Sequence, residues 1–240
     1  MTGSSRGIGK SIALHLAQEG WSVAIHYGAG KRDADSARTE LGEAFSGMYT
    51  ADLADPRQSE ALFLAVLKEG PIDAVVNNAG VYLQMGFLES GDGEFEANLK
   101  RTFAVNFESP LRLTRLACKH FAQSGHGKIL NVASRVGFKG ESGAALYAAS
   151  KAALINLTRS LAVELAPKNI QLFGIAPGWV ETAMAREGME TRLEAILKDI
   201  PAGRMAKPED CAAAAAFLLS DAASYLSGVV IDINGASYFH

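Results

Sequence analysis

The sequence predicts one α/β domain built on a doubly wound parallel sheet with helices on both faces. Three observations carry that expectation. Short apolar runs alternate with helix-like segments of ten or more residues, the pattern of strands buried on both faces and joined by crossover helices. The 240-residue chain is 48% hydrophobic, enough for one sizeable core and more easily one domain than two small ones. The chain also opens on "MTGSSRGIG", a glycine-rich turn leading straight into helical sequence. In such a loop, free backbone N–H groups and the positive helix end face a phosphate.

The elements follow in order. Ile12, Leu14 and Leu16 give Ser11 to Glu19 the character of a short helix, and Gly20 closes it. "WSVAIHY" reads as a strand, Lys31 to Glu43 as a polar helix, "GMYTA" as a strand, Pro56 to Lys68 as a helix and "IDAVVNNAG" as a strand. The later strands are "GKILNVAS", "NIQLFGIAPG" and "GVVIDING", separated by segments of helical length. "AAAAAF" at 212–217 reads as a tightly packed helix, since Ala is the best helix former. The least regular stretch is "YLQMGFLESGDGEFEANL"; a second candidate insertion runs from Val180 to Met205. Both fall beyond the carboxyl ends of strands, where open α/β sheets bind ligands. The second is expected to form a substrate lid around 180–205, with Trp179, Met184 and Met189 as an apolar wall.

Composition narrows the function. A net charge of -3 without a Lys/Arg block gives no footprint for nucleic acid or an anionic membrane. No apolar run approaches the roughly 20 residues of a membrane span, so the chain reads as a cytoplasmic protein. Cys118 and Cys211 are too few for a disulfide framework or metal cluster and are expected as buried, reduced thiols. His15, His26, His120, His126 and His240 show no metal-ligand spacing, so no metal is expected.

Three motifs carry chemistry. Gly3, Gly7 and Gly9 have the spacing G-x-x-x-G-x-G, which allows a tight turn and close backbone approach, or a plain Gly/Ser turn before a helix. Asn77 to Gly80, "NNAG", ends an apolar strand with small residues that let a flat ring or ribose approach, or else forms an Asn-Gly turn. Tyr147 and Lys151 lie four apart, on one helix face, and Ser134 ends the preceding strand. That trio could polarise a carbonyl, donate a proton and hold the phenol's pKa down; alone, the Tyr/Lys pair could be an exposed helix pair.

With those residues in view, the chain resembles the short-chain dehydrogenase/reductase family over essentially its whole length. The motifs "TGSSRGIG", "NNAG", Asn106 in "AVNF", Ser134, "YAASK" and "PGWVET" occur in the family's order and spacing. Within the family it looks most like the 3-oxoacyl-[acyl-carrier-protein] reductases, on "YAASKAAL", "GRMAKPED" and "FLLSDAASYLSG". The resemblance implies a Rossmann-type fold and reduction of a carbonyl, such as that of a 3-oxoacyl thioester or another small ketone, sugar or quinone. Tyr147 would be the general acid, Lys151 would lower its pKa and hold the nicotinamide ribose, Ser134 would orient the substrate oxygen, and Asn106 would anchor a proton-relaying water.

The same resemblance places the cofactor against Gly3, Ser5, Arg6, Gly7, Ile8 and Gly9, against Asn78, Ala79 and Gly80, and against Tyr147, Lys151, Pro177, Gly178 and Thr182. Asp52 would bond the adenine amine with Leu53 beside it, or Asp52 would cap the next helix. In "HYGAGKR" the first acid, Asp33, stands beyond Lys31 and Arg32, and Arg6 resembles the residue that binds a 2′-phosphate, so NADP(H) is expected. A homotetramer is implied, with acyl carrier protein as a partner only half matched: "SGHG" stands where relatives carry a base, while Lys168 is present. A cofactor-sensing relative without turnover is the alternative that the four residues Asn106, Ser134, Tyr147 and Lys151 speak against. Relatives carry a central strand directly before Thr2. Residues upstream of Met1 are expected to supply it, with a shifted start site and a distorted, cofactor-free loop as the other reading.

Overall fold

The computed structural model describes residues 1–186 and 193–240. Helix α1 (Gly7–Gln18) leads to β1 (Val23–Tyr27), α2 (Lys31–Leu41), β2 (Phe45–Thr50), α3 (Pro56–Glu69) and β3 (Ala74–Asn77). Then follow α4 (Asp92–Phe103), α5 (Ser109–Ser124), β4 (Gly127–Val132), α6 (Ala145–Leu165), β5 (Ile170–Pro177), α7 (Ala183–Arg186), α8 (Leu193–Lys198), α9 (Pro208–Leu219) and β6 (Val230–Ile233). The doubly wound α/β architecture is the predicted one. Helix α1 starts four residues earlier than its apolar pattern suggests, because the glycine turn itself supplies the first helical turn. The irregular stretch after "NNAG" contains α4, which begins at Asp92.

All strand pairs are parallel: β1 with β2, and β3-β4-β5-β6 in that order. Met1–Ser4 joins the two groups. The Met1 amine donates to Ala24 O (2.9 Å) and Ser4 N–H to His26 O (2.9 Å), while Thr2 N–H donates to Val76 O (3.0 Å). This segment lies where the carboxyl end of the expected first strand would be, and it leads into α1. From it the chain winds out to β2 on one side and returns to β3 through β6 on the other. It is therefore the point where strand order reverses, and an α/β sheet binds ligands beyond the carboxyl ends of its strands there.

Side chains of the central strands alternate between two cores, as a period of two requires. Leu130, Val132, Phe173 and Ile175 face α1 and α9, meeting Ile12, Leu16, Ala212 and Ala215. Ile129, Ile170 and Leu172 face the other way, onto Phe63 of α3 and Leu113, Ala117 and Phe121 of α5. The alanines of α9 pack with Ile12, Ala13 and Leu16 of α1, which seats the helix that follows the glycine loop on the sheet. Cys211 is buried in that core and Cys118 half-buried on α5; burial pushes both thiols up, to about 12 and about 11. Among the described residues no helix is long and apolar enough to cross a membrane.

The buried Thr2 hydroxyl holds the junction together, accepting from the N–H groups of Asn78 (3.0 Å) and Ala79 (3.1 Å). Thr2→Val keeps the shape but orphans both donors at about 1–3 kcal/mol each. Urea denaturation should show a clearly lower midpoint for Thr2→Val and a near-normal one for Thr2→Ser, which keeps the oxygen.

Candidate active site

The glycine loop is shaped by what it touches. A Cβ on Gly9 would stand 2.3 Å from both Asn78 Nδ2 and Gly3 O, so only glycine lets the loop meet the end of β3. Gly3 has φ +59°, and its Cβ would meet Ala79 Cα at 2.9 Å. The Asn78 side chain closes this contact by donating to Thr2 O (3.0 Å) and Gly3 O (2.8 Å). The plain-turn readings of both motifs therefore give way to a built junction between them. Arg6, at the head of α1, is exposed, and among the described residues no hydrogen bond or ion pair holds its guanidinium.

The cleft's second wall comes from the ends of β1 and β2: His26 to Ala29, then Ala51, Asp52 and Leu53. Asp52 accepts from Ala54 N–H (3.0 Å), and Arg101 of α4 reaches both of its oxygens (2.8 and 2.9 Å). The Ala54 N–H and then the guanidinium hold its carboxyl below the usual range. The cap of α3 is Asp55, whose Oδ1 accepts from Arg57 N–H (2.9 Å), so the capping alternative for Asp52 is corrected to Asp55. Lys31 pairs with Asp35 (3.0 Å) four residues on.

Ser134 stands just after β4. Its hydroxyl meets Pro177 O and Val136 N–H, both at 3.4 Å, and bonds the Tyr147 phenol. Burial pushes Tyr147 up to about 12, against the partial lowering by Ser134. Tyr82 packs edge-on to the Tyr147 ring, with centroids 5.0 Å apart. Lys151 is 3% exposed, which removes the exposed-pair reading. Its ammonium donates to Val132 O (2.8 Å) and lies 5.6 Å from the Tyr147 ring centroid; burial brings its pKa down to about 8. Burial is the largest influence on the phenol, and the Ser134 hydroxyl is the group that lowers it. The ammonium is held over the ring by a strand carbonyl, and desolvation dominates the phenol.

Asn106 is fully buried in a π-helical turn (Ala104–Glu108) between α4 and α5, a device common at functional sites. Its Oδ1 accepts from Val81 N–H (2.8 Å), and its Nδ2 donates to Val81 O (2.9 Å) and Ser150 Oγ (3.2 Å). Ser150 Oγ in turn donates to Tyr147 O (2.7 Å). The side chain thus braces both the loop after β3 and the first turn of α6.

Every residue assigned from sequence to the cofactor, together with Ser134, lines one cleft of about 430 Å³; Asn106 stands behind it. Thr182 reaches the loop, lying 3.3 Å from where a Gly7 Cβ would be. Trp179 packs with Ile196, Ile200 and Met205 at the rim. Met189 and the Met184 side chain lie outside the described residues. The empty Cβ positions of Gly3 and Gly9, the small Gly80 beside Asn106 and Lys151, and the open Arg6 make a cradle that fits a dinucleotide. Sequence reasoning missed His26, Arg101 and Glu141, which also line the cleft. For His26 the available signal was one imidazole inside an otherwise apolar strand core; Arg101 and Glu141 carry no local signal.

The comparisons agree with this geometry. A family model described as enoyl-(acyl carrier protein) reductase matches residues 3–236. The chain is 37% identical to the 3-oxoacyl-[acyl-carrier-protein] reductase FabG of Thermotoga maritima, over 98% of this chain and 95% of the relative. A crystal structure of 3-ketoacyl-(acyl-carrier-protein) reductase from Brucella melitensis complexed with NADH superposes with a TM-score of 0.88 at 33% identity, covering 99% and 96% of the two chains. A short-chain dehydrogenase from Burkholderia cenocepacia in complex with NADP gives 0.91 at 29% identity, covering 99% and 96%. With a Rossmann-type sheet, a glycine loop at its switch point and full-length similarity to these reductases, the chain belongs to the short-chain dehydrogenase/reductase family of oxidoreductases.

Proposed function

We propose that the protein is an NADP(H)-dependent reductase converting a carbonyl to an alcohol, with a 3-oxoacyl thioester as the substrate class the relatives support best. The observation that carries the reading is the meeting of Ser134, Tyr147 and Lys151 at one part of a cleft whose other walls are the glycine loop and Asp52. A nicotinamide cofactor bound there supplies the hydride. The protein's own residues position and protonate. With its pKa near 12, the Tyr147 phenol keeps its proton through the neutral range and serves as donor to the carbonyl oxygen. Ser134 Oγ orients that oxygen, and the Lys151 ammonium is fixed by Val132 O where it can reach a ribose. Asn106 holds Val81 and, through Ser150, the Tyr147 turn in register.

Arg6 at the rim, with Lys31 and Arg32 ahead of Asp33, supports the 2′-phosphate preference. The reading keeps a single 1–240 domain with a lid around 180–205, of which residues 187–192 lie outside the described residues. Exposed apolar residues on α5 and α6, such as Leu111 and Val163, suit a homotetramer. The exposed Lys168 suits an acidic carrier protein, while His126 of "SGHG" is turned to Asp73 (3.2 Å). A second reading has its own observation. Glu141, held by the buried Arg135 (3.2 Å), and Gln84 line the cleft near Tyr147 and suit the hydroxyls of a small polyhydroxylated ketone. A substrate panel of acetoacetyl thioesters and hydroxylated ketones decides between the two.

Three outcomes are expected. Tyr147→Phe should lower kcat by about 10²–10⁴-fold with NADPH affinity near normal; retention of more than about a tenth of the activity removes Tyr147 from the donor role. Arg6→Ala should weaken NADPH by about 10- to 100-fold and NADH far less, because only one carries the charge-assisted contact; equal weakening assigns Arg6 to loop support. The Lys151 ammonium is present below its pKa of about 8 and lost above it. The kcat/KM for carbonyl reduction should therefore fall as pH rises through 8, and a rate still rising at pH 9 contradicts the role given to Lys151.

A further inference from the structure

We propose that His26 is a positioning residue of the cofactor site, whose neutral ring ties the glycine loop to the opposite wall and whose protonation frees the loop and weakens dinucleotide binding. This rests on the reading of the cleft as a dinucleotide site. His26 lies in β1 and is 3% exposed. Gly3 N–H donates to its Nδ1 (3.0 Å), and its Nε2 meets Ala51 O at 3.1 Å. One partner can only donate and the other only accept, so Nδ1 carries the lone pair and Nε2 the proton. Its backbone grips the same loop: Ser4 N–H donates to His26 O (2.9 Å), and His26 N–H donates to Ser4 Oγ (3.1 Å). The ring therefore links Gly3, the first loop glycine, to Ala51, directly before Asp52 and Leu53.

A second proton on the ring would set an N–H against the Gly3 N–H. Gly3 is also tied to the end of β3, since the Asn78 side chain donates to Gly3 O (2.8 Å). Burial lowers the ring's pKa below 6.5, and the Ala51 carbonyl opposes this. The other titratable groups on the neighbouring segments are Arg6 in the loop, Tyr27 next to His26 in β1, Tyr49 as its register partner on β2, and Asp52, whose carboxylate Arg101 holds. Among the described residues no carboxylate bonds the imidazole, and the Ala51 carbonyl is the one group bonded to the ring that favours its charged form. The sign follows. The neutral ring predominates above the lowered pKa, and the loop is released as pH falls through it. A ligand that prefers the ordered loop must push that pKa lower still.

The test is NADPH affinity of the whole protein from pH 8 to 5, compared with His26→Asn, together with ring ¹⁵N–¹H spectra of the wild type with and without NADPH. The ratio of the two proteins cancels the titration of NADPH's own phosphate. Below the ring's pKa, wild-type affinity should fall by up to about tenfold per pH unit beyond what His26→Asn shows. At pH 8 the variant should bind about three- to tenfold more weakly. The spectra should show the Nε2–H tautomer at pH 8 and a midpoint that drops when NADPH is bound. Equal pH dependence in both proteins, or a midpoint unmoved by NADPH, overturns the proposal. If NADPH fails to bind at any pH, the dinucleotide reading fails by itself. The hold of His26 on the loop is then judged by Gly3 amide exchange, whose protection should collapse as the ring titrates; unchanged protection overturns it.

Discussion

The structure depends on how four residues, Met1–Ser4, close the seam between β1 and β3. Backbone groups on the inner edges of both strands need partners, and at the carboxyl end of the sheet this segment provides them on both sides. The same residues continue into the loop that heads α1, so the bonds that unite the sheet also place that loop. Thr2 Oγ1 accepts two N–H groups from the end of β3, and Asn78 returns two bonds to Thr2 O and Gly3 O. Sheet continuity and site geometry are one set of hydrogen bonds. That is why the cleft sits where strand order reverses.

Away from this seam, the site is governed by desolvation. Tyr147 and Lys151 share one face of α6 and lie under the same cover, yet burial moves them in opposite directions, because it disfavours whichever form is charged. The phenol becomes a weaker acid that keeps its proton, and the ammonium becomes easier to deprotonate. Val132 O directs the ammonium, and Ser134 partly offsets the cost at the phenol. The bracing chain Val81–Asn106–Ser150–Tyr147 then limits how far the pair can shift. Position and electrostatics, not a reactive side chain by itself, are what this arrangement offers to carbonyl chemistry.

Short-range chemistry was legible in the sequence: apolar runs of strand length, the glycine turn, the i, i+4 pair Tyr147 and Lys151, and Ser134 at a strand end. Each rests on periodicity or spacing within about two turns or one strand, which local sterics impose on any chain. The order of motifs along the chain carried the family resemblance and with it the fold, which the sheet and the comparisons bear out. Reading ran out where contacts join distant segments. Asp52 meets Arg101 across 49 positions, Gly3 meets His26 across 23, and Asn106 meets Ser150 across 44. Local pattern also misassigned the cap of α3, because Asp52 and Asp55 look alike until the helix start is known.

By itself, then, the sequence determined the class of fold, the identity of the oxidoreductase family and the residue types that meet in the cleft. The tertiary structure alone decided that Lys151 is held by a strand carbonyl, that burial raises the phenol's pKa, and that His26 is held in one tautomer between Gly3 and Ala51. The physical reason is the same in each case. Protonation and hydrogen-bond direction depend on burial and on the partner that chain folding brings near, and neither quantity is written in the spacing of residues along the chain.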